Sequence, residues 1–163
     1  MSIETKGYSG PLPSKDFRRQ VANEVMIPFA DAISGEFVSS GEVRTLGVAN
    51  FAGKVVKTIE SVAASGKNDS SAPTITFDVA IDGVSIFTTK PVIAHVSGEL
   101  SQHKTTFSEA DDTGITTEVI NQSACEFAIG AILTWTAVYS GAANPTTKIK
   151  NPSIIVEVEP VDP

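Results

Sequence analysis

Pro73-Thr-Ile-Thr-Phe-Asp-Val-Ala-Ile-Asp-Gly-Val-Ser-Ile-Phe-Thr-Thr-Lys-Pro91 is the stretch that decides the fold class. Ile75, Phe77, Val79 and Ile81 alternate with Thr76, Asp78, Ala80 and Asp82. A period of two is that of a strand with one buried face. Asp82-Gly83 then supplies the two positive-φ positions of a type I′ turn. Val84, Ile86 and Thr88 run back on the same face, so the stretch predicts a β-hairpin. In that register Phe87 stands opposite Asp78, away from Phe77 and Val79. There it is either a lone exposed apolar residue or one covered by the N-terminal segment, the other sheet or another chain.

Outward from the hairpin the same grammar continues. From Glu36 onward Thr, Val and Ile are abundant, and Gly, Pro, Asn and Asp clusters cut them into short runs. The predicted strands are Glu36–Ser39, Arg44–Val48, Gly53–Ala64, Thr74–Asp82, Val84–Lys90, Val92–Val96, Ile115–Ile120, Ala131–Tyr139 and Ser153–Glu159. Within Gly53–Ala64, Val55, Val56, Ile59, Val62 and Ala63 also fit a helical stripe, and β-branched content decides for strand. Ala131, Leu133, Trp135, Ala137 and Tyr139 alternate with Ile132, Thr134, Thr136 and Val138, which reads as a central strand covered on both sides. In the last run Ile154, Val156 and Val158 form the buried side and Ile155, Glu157 and Glu159 the solvated one. Ser65–Pro73 and Ser97–Gly114 read as long polar connectors.

The first residues read differently. Residues 1–14 hold Gly7, Gly10, Pro11 and Pro13 and suggest an extended arm. Ser14 caps a helix candidate in which Phe17, Val21 and Val25 recur every four residues, limited by Pro28. The expected organisation is an N-terminal arm over residues 1–35 and an antiparallel β-sandwich, jelly-roll-like or immunoglobulin-like, over residues 36–163. A single domain of 163 residues buries roughly 70% of its unfolded surface and folds without staples. Cys125 is the only cysteine, which excludes an intrachain disulfide and suits a small buried hydrophobe.

A net charge of -7 opposes partners that reward Lys and Arg, so neither nucleic acid nor an anionic membrane is expected. No apolar run reaches the roughly 20 residues that cross a bilayer. Met1-Ser-Ile-Glu-Thr-Lys lacks the regions of a signal peptide, so synthesis in a cytoplasm without export is expected.

Chemistry is sparse. His95 falls in a predicted strand and His103 in a polar loop, with no further ligands at zinc spacing; His95 reads as a satisfied structural residue or one at a subunit contact. Asp111-Asp112-Thr-Gly and Lys67-Asn-Asp-Ser are weak calcium-loop look-alikes, and Asp and Asn favour turns for reasons of their own. Gly-x-Ser-x-Gly, Gly-x-Gly-x-x-Gly and P-loop patterns are missing. No enzyme, metal or cofactor is expected.

From about Gly53 to Pro160 the chain resembles phage head decoration (cement) proteins. The likeness lies in Ser61-Val-Ala-Ala-Ser-Gly66, the loop to Ala72-Pro73, Phe77 to Pro91, the strand around Leu133–Tyr139, and Asn144-Pro-Thr-Thr-Lys-Ile-Lys-Asn151 leading into Ile154-Ile-Val-Glu-Val-Glu-Pro160. Ser-Ile-Phe-Thr-Thr-Lys-Pro is its most specific element. The resemblance implies a β-sandwich on the outer surface of a virion capsid, bound to the major capsid protein, often as a homotrimer. Similar domains occur in tail and fibre proteins, so a tail-associated structural protein or host-glycan adhesion module is the alternative. The candidate capsid or subunit contacts are Phe17, Val21, Met26, Phe29, Phe87, Trp135 and Tyr139.

Overall fold

A computed structural model of the protein describes residues 27–107 and 113–161, and over these the chain is all-β. In chain order the first strands are β1 (Ile27–Ala32), β2 (Glu36–Phe37), β3 (Glu42–Val48), β4 (Gly53–Val62), β5 (Ala64–Lys67) and β6 (Thr74–Ile81). Then come β7 (Val84–Ser85), β8 (Phe87–Thr89), β9 (Val92–Ala94), β10 (Lys104–Thr105) and β11 (Ile115–Thr116). The last are β12 (Val119–Ile120), β13 (Glu126–Phe127), β14 (Ile132–Ser140), β15 (Thr147–Lys150) and β16 (Ser153–Pro160).

Two antiparallel sheets dominate. The first runs β1-β16-β4-β10, with β13 also pairing β4; the second runs β11-β9-β6-β14-β3, with β7 pairing β6. Smaller sheets, β2-β15-β5 and β12-β8, complete the fold. The alternation seen in the sequence decides which side of each strand is buried. Val55, Val62, Ile154, Val156 and Val158 of the first sheet share one core with Ile75, Phe77, Val79, Ile93, Leu133, Trp135 and Ala137 of the second. Each such aliphatic or Phe side chain contributes about 1.5–3 kcal/mol on leaving water. Trp135 lies stacked on Phe77 at a centroid distance of 6.2 Å.

Charged groups close both sides of this β-sandwich. On one side Asp31 of β1 accepts hydrogen bonds from Arg44 Nε of β3 (2.5 Å) and from Trp135 Nε1 of β14 (2.9 Å), so one carboxylate ties the edge strands to the core. On the other side the buried Lys104 ammonium of β10 donates to Glu99 Oε2 (2.9 Å) and to the Thr113 carbonyl (2.7 Å), just before β11. Gly114 follows with φ +83°, and a Cβ there would stand 2.6 Å from the Ala94 carbonyl oxygen, so this close approach of β11 to β9 requires glycine.

The fold class expected from the sequence is the one observed, and Gly53–Ala64 resolves as strand in β4 and β5. Asp82 and Gly83 have φ of 48° and 84°, as a type I′ turn demands. The hairpin beyond that turn differs from expectation. Its ladder keeps Ile81↔Val84 and Ala80↔Ser85, but β6 next meets the returning chain at Thr76↔Val92, a shift of three residues. Phe87–Thr89 leaves the ladder and pairs with β12 instead. Phe87 is therefore not opposite Asp78 on the outer face; it turns inward and is buried, while Val84 and Thr88 are exposed. Burial of the phenyl ring favours this excursion, and Phe87–Thr89 finds new backbone partners in β12.

The boundary expected at residue 35 also moves. Ile27–Ala32 is the edge strand β1, paired with β16 from Ile27↔Val158 to Ala32↔Ser153, so residues 27–35 belong to the sandwich. The helix candidate Ser14–Val25 lies outside the described residues.

Candidate interaction surface

Cross-strand partners in a sheet share a face, so register identifies what the second sheet turns outward. One row is Val43, Thr136 and Asp78; the next is Thr45, Thr134 and Ala80. Val48 pairs with Ile132 at one end, and Val138, Thr76 and Val92 form a row towards the other. Four aliphatic residues here are open to solvent: Val43 (69%), Val48 (61%), Ile132 (47%) and Val138 (36%). Asp78 is neutralised within the face, by Lys90 Nζ at 2.7 Å and by the Ser85 hydroxyl, which donates to it at 2.5 Å. The result is a β-surface of Thr, Val, Ala and Ile with one internally paired charge, on a chain of net charge -7. The exposed aliphatics sit in two pairs, Val48 with Ile132 at one end and Val43 beside Val138 at the other, with threonines between them.

The anticipated contact residues fall differently. Phe17, Val21 and Met26 lie outside the described residues. Trp135 and Phe87 are buried in the chain's own core and present no surface to a partner. Phe29 is half-buried and packs over Gly47, where a Cβ would stand 3.2 Å from its ring. Tyr139 is half-buried, and its hydroxyl donates to the Ala142 carbonyl at 2.7 Å. In the strand Ala131–Tyr139 the outward side is the other alternation, Ile132, Thr134, Thr136 and Val138. Coverage on both of its sides, expected from its apolar character, holds for the Trp135 side alone. The legible signal was the single Trp: a side chain that large belongs in the core, which leaves Ile132, Thr134, Thr136 and Val138 for the surface.

The remaining candidates are accounted for locally. Asn68 Oδ1 accepts from Ser70 N and Ser71 N, an ordinary Asx turn rather than a calcium loop; Asp111 and Asp112 lie outside the described residues. His95 is buried, with Nε2 3.3 Å from Asp69 Oδ1 and no hydrogen-bond partner at Nδ1, so it is structural yet not fully satisfied. His103 is exposed. Among the described residues no three His, Cys, Asp or Glu side chains converge as metal ligands. Cys125 is buried, and burial pushes its thiol pKa up, as expected of an inert core cysteine.

Two carboxyl groups stand out electrostatically. Hydrogen bonds from Arg44, then from Trp135, hold Asp31 down at a pKa of about 2 against the cost of its partial burial. Glu60 of β4 has no exposed surface, and burial pushes it up to about 7, with the nearby Glu118 charge adding to the shift. Sequence reasoning passed over Glu60 because Thr58, Glu60 and Val62 alternate inward in a strand that also reads as a helical stripe.

Compared with protein-family models and with curated proteins, the chain matches none.

Proposed function

We propose that this protein is a structural virion component that binds the outer surface of a phage capsid and bridges neighbouring capsid subunits. The observation that carries the reading is the outer face of β3, β14, β6 and β9, where Val43, Val48, Ile132 and Val138 stand exposed around a single neutralised charge. Such a face suits a broad protein–protein contact of shape and apolar area rather than a ligand cleft. The resemblance of residues 53–160 to decoration proteins supports the same reading. Of the stretches that carry it, Phe77–Ile81 and the Leu133–Tyr139 strand lie in this sheet, while Phe87–Thr89 pairs with β12 outside it.

A cement protein binds only the assembled shell and stabilises it by mass action. It requires a rigid scaffold and an adhesive surface, both of which an antiparallel sandwich provides. Acidic charge outside the face disfavours contact with packaged nucleic acid. Association as a closed trimer is part of the proposal, through a heterologous contact in which one patch of each subunit meets a different patch of the next.

The test is cosedimentation with expanded, emptied heads lacking the protein, beside sedimentation equilibrium of the protein alone. Saturable binding at a fixed copy ratio, with a higher melting temperature of the heads, is the expected result. The double variant Val43→Asp, Val138→Asp places charge on exposed positions without touching the core, so it folds and its binding falls at least tenfold. Absence of head binding, with retention on tails or host envelopes, overturns the capsid reading in favour of adhesion.

A further inference from the structure

One end of the second sheet gathers large aliphatic side chains in water. Val48 of β3 and Ile132 of β14 are register partners on the outer face, and both are exposed. The turn that leads into β14 brings Ile129 to the same end, exposed by 71%. Backbone bonds fix that turn against β3. Gly130 N donates to the Ala49 carbonyl at 2.8 Å, Ala49 N to the Ala131 carbonyl at 2.9 Å, and Ala131 N to the Ala128 carbonyl at 3.2 Å. Three aliphatics presented around one strand end form a seat for apolar side chains. Asp82 borders it. Its Oδ1 accepts from Ile132 N at 2.8 Å, and its carboxylate makes no ion pair among the described residues.

The chain itself delivers an occupant to this seat. β1 and β3 run in opposite directions along the edge of the sandwich: Phe29 packs over Gly47, and Asp31 accepts from Arg44. Followed backwards from Phe29, β1 leads to the level of Val48 and Ala49, so the chain ahead of Ile27 joins the sandwich at this end. Residues 14–26, which lie outside the described residues, come immediately before it. In their sequence Phe17, Val21 and Val25 recur every four residues. Lys15, Arg18 and Arg19 outnumber Asp16 and Glu24 there, in a chain of net charge -7, which complements the Asp82 carboxylate. Val25 is two residues from Ile27, at most about 7 Å of backbone. A segment tethered this closely meets the seat at an effective concentration on the order of millimolar, which a second copy or a capsid subunit in dilute solution does not reach.

We propose that residues 14–26 of the same chain dock on the Val48, Ile129 and Ile132 end of the second sheet, setting Phe17, Val21 and Val25 against these aliphatics and the Arg18-Arg19 pair beside Asp82. The docked segment shields one end of the outer face and leaves Val43 and Val138, at the other end, open to a partner. Docking in the free chain is independent of the capsid reading, whose variants lie at that opposite end.

The test is methyl NMR of the full chain by itself. The expected result is nuclear Overhauser contacts from the Phe17 ring to the methyl groups of Val48 and Ile132, undiminished when labelled chain is diluted into an excess of unlabelled chain. The double variant Phe17→Ser, Val21→Ser alters no side chain of the described core and folds. In it, broadening of the Val48, Ile129 and Ile132 methyls by a soluble gadolinium chelate rises at least about threefold, while that of Val43 and Val138 stays the same. Absence of the contacts, or broadening that the double variant leaves unchanged, overturns the proposal. Contacts that vanish on dilution with unlabelled chain overturn it in favour of a second copy in the seat. Shielding that appears only when emptied heads are added overturns it in favour of the capsid.

Discussion

Asp31 and Glu60 are carboxylic acids on the same sheet, one near each edge, and their surroundings drive them in opposite directions. Asp31 sits where a strand edge meets water, with a guanidinium fork and an indole N–H aimed at it. Its charge is satisfied, and its pKa falls to about 2. Glu60 sits inside the sandwich, where burial first and the nearby Glu118 charge raise its pKa to about 7 in spite of the Thr58 and Thr106 hydroxyls. At Glu60 burial is the dominant cause, whereas at Asp31 the hydrogen bonds from Arg44 and then Trp135 outweigh it. One acid is held in its charged form by its donors, and the other is pushed towards its neutral form by burial.

The largest effect comes from removing what joins the Asp31 side to the core. Trp135→Ala deletes the ring stacked on Phe77 and the donor to Asp31, and should cost about 3–5 kcal/mol in denaturant unfolding. A cost under about 1 kcal/mol would mean that the indole is not the anchor its burial implies.

Next in size is the pH dependence on the Glu60 side. The unfolded chain releases this proton near the ordinary value of 4.5, and the folded chain near 7. Folding therefore takes up a proton between these values. The contribution to stability is full below about pH 4.5, declines as pH rises and is lost above about 7. A shift of this size corresponds to about 3 kcal/mol. Glu60→Gln should flatten that limb of the stability curve measured by chemical denaturation from pH 4 to 8.

Asp31 should give the mirror image with a smaller amplitude. Its folded pKa is depressed, so its contribution is present above pH 3.8 and lost as pH falls towards 2. With Arg44 partly exposed, Asp31→Asn should lower stability by about 1–2 kcal/mol at neutral pH and leave a shallower acid limb. If Asp31→Asn removed the neutral limb instead, the assignment of the two limbs to the two edges would be reversed. Smallest is the exposed Lys148–Glu36 pair, 2.7 Å apart, where Glu36→Gln should leave the unfolding midpoint unchanged within error.

The comparison separates what was written along the chain from what was assembled in space. Alternation in Ile75–Ile81, Leu133–Tyr139 and Ile154–Val158, together with the Asp82-Gly83 turn, determined an all-β antiparallel fold and named most of its core, because a strand's two faces are set by local pattern alone. Five strands escaped notice: β1, β5, β10, β13 and β15. β1, β10 and β13 lie along the longer β16 and β4, while β5 and β15 pair with each other inside the stretches read as connectors or left unread. Phe87 was placed on the wrong face because a three-residue departure from the hairpin leaves no local trace. The outer face of the second sheet was half legible: the strand was identified, and its exposed side was decided by which sheet received Trp135. Asp31 and Glu60 read in the sequence as two carboxylates among many. Their opposite pKa values arise only when residues far apart in the chain, Arg44 and Trp135 for one and Thr106 and Glu118 for the other, are brought against them, since hydrogen bonding and desolvation act through space rather than along the chain.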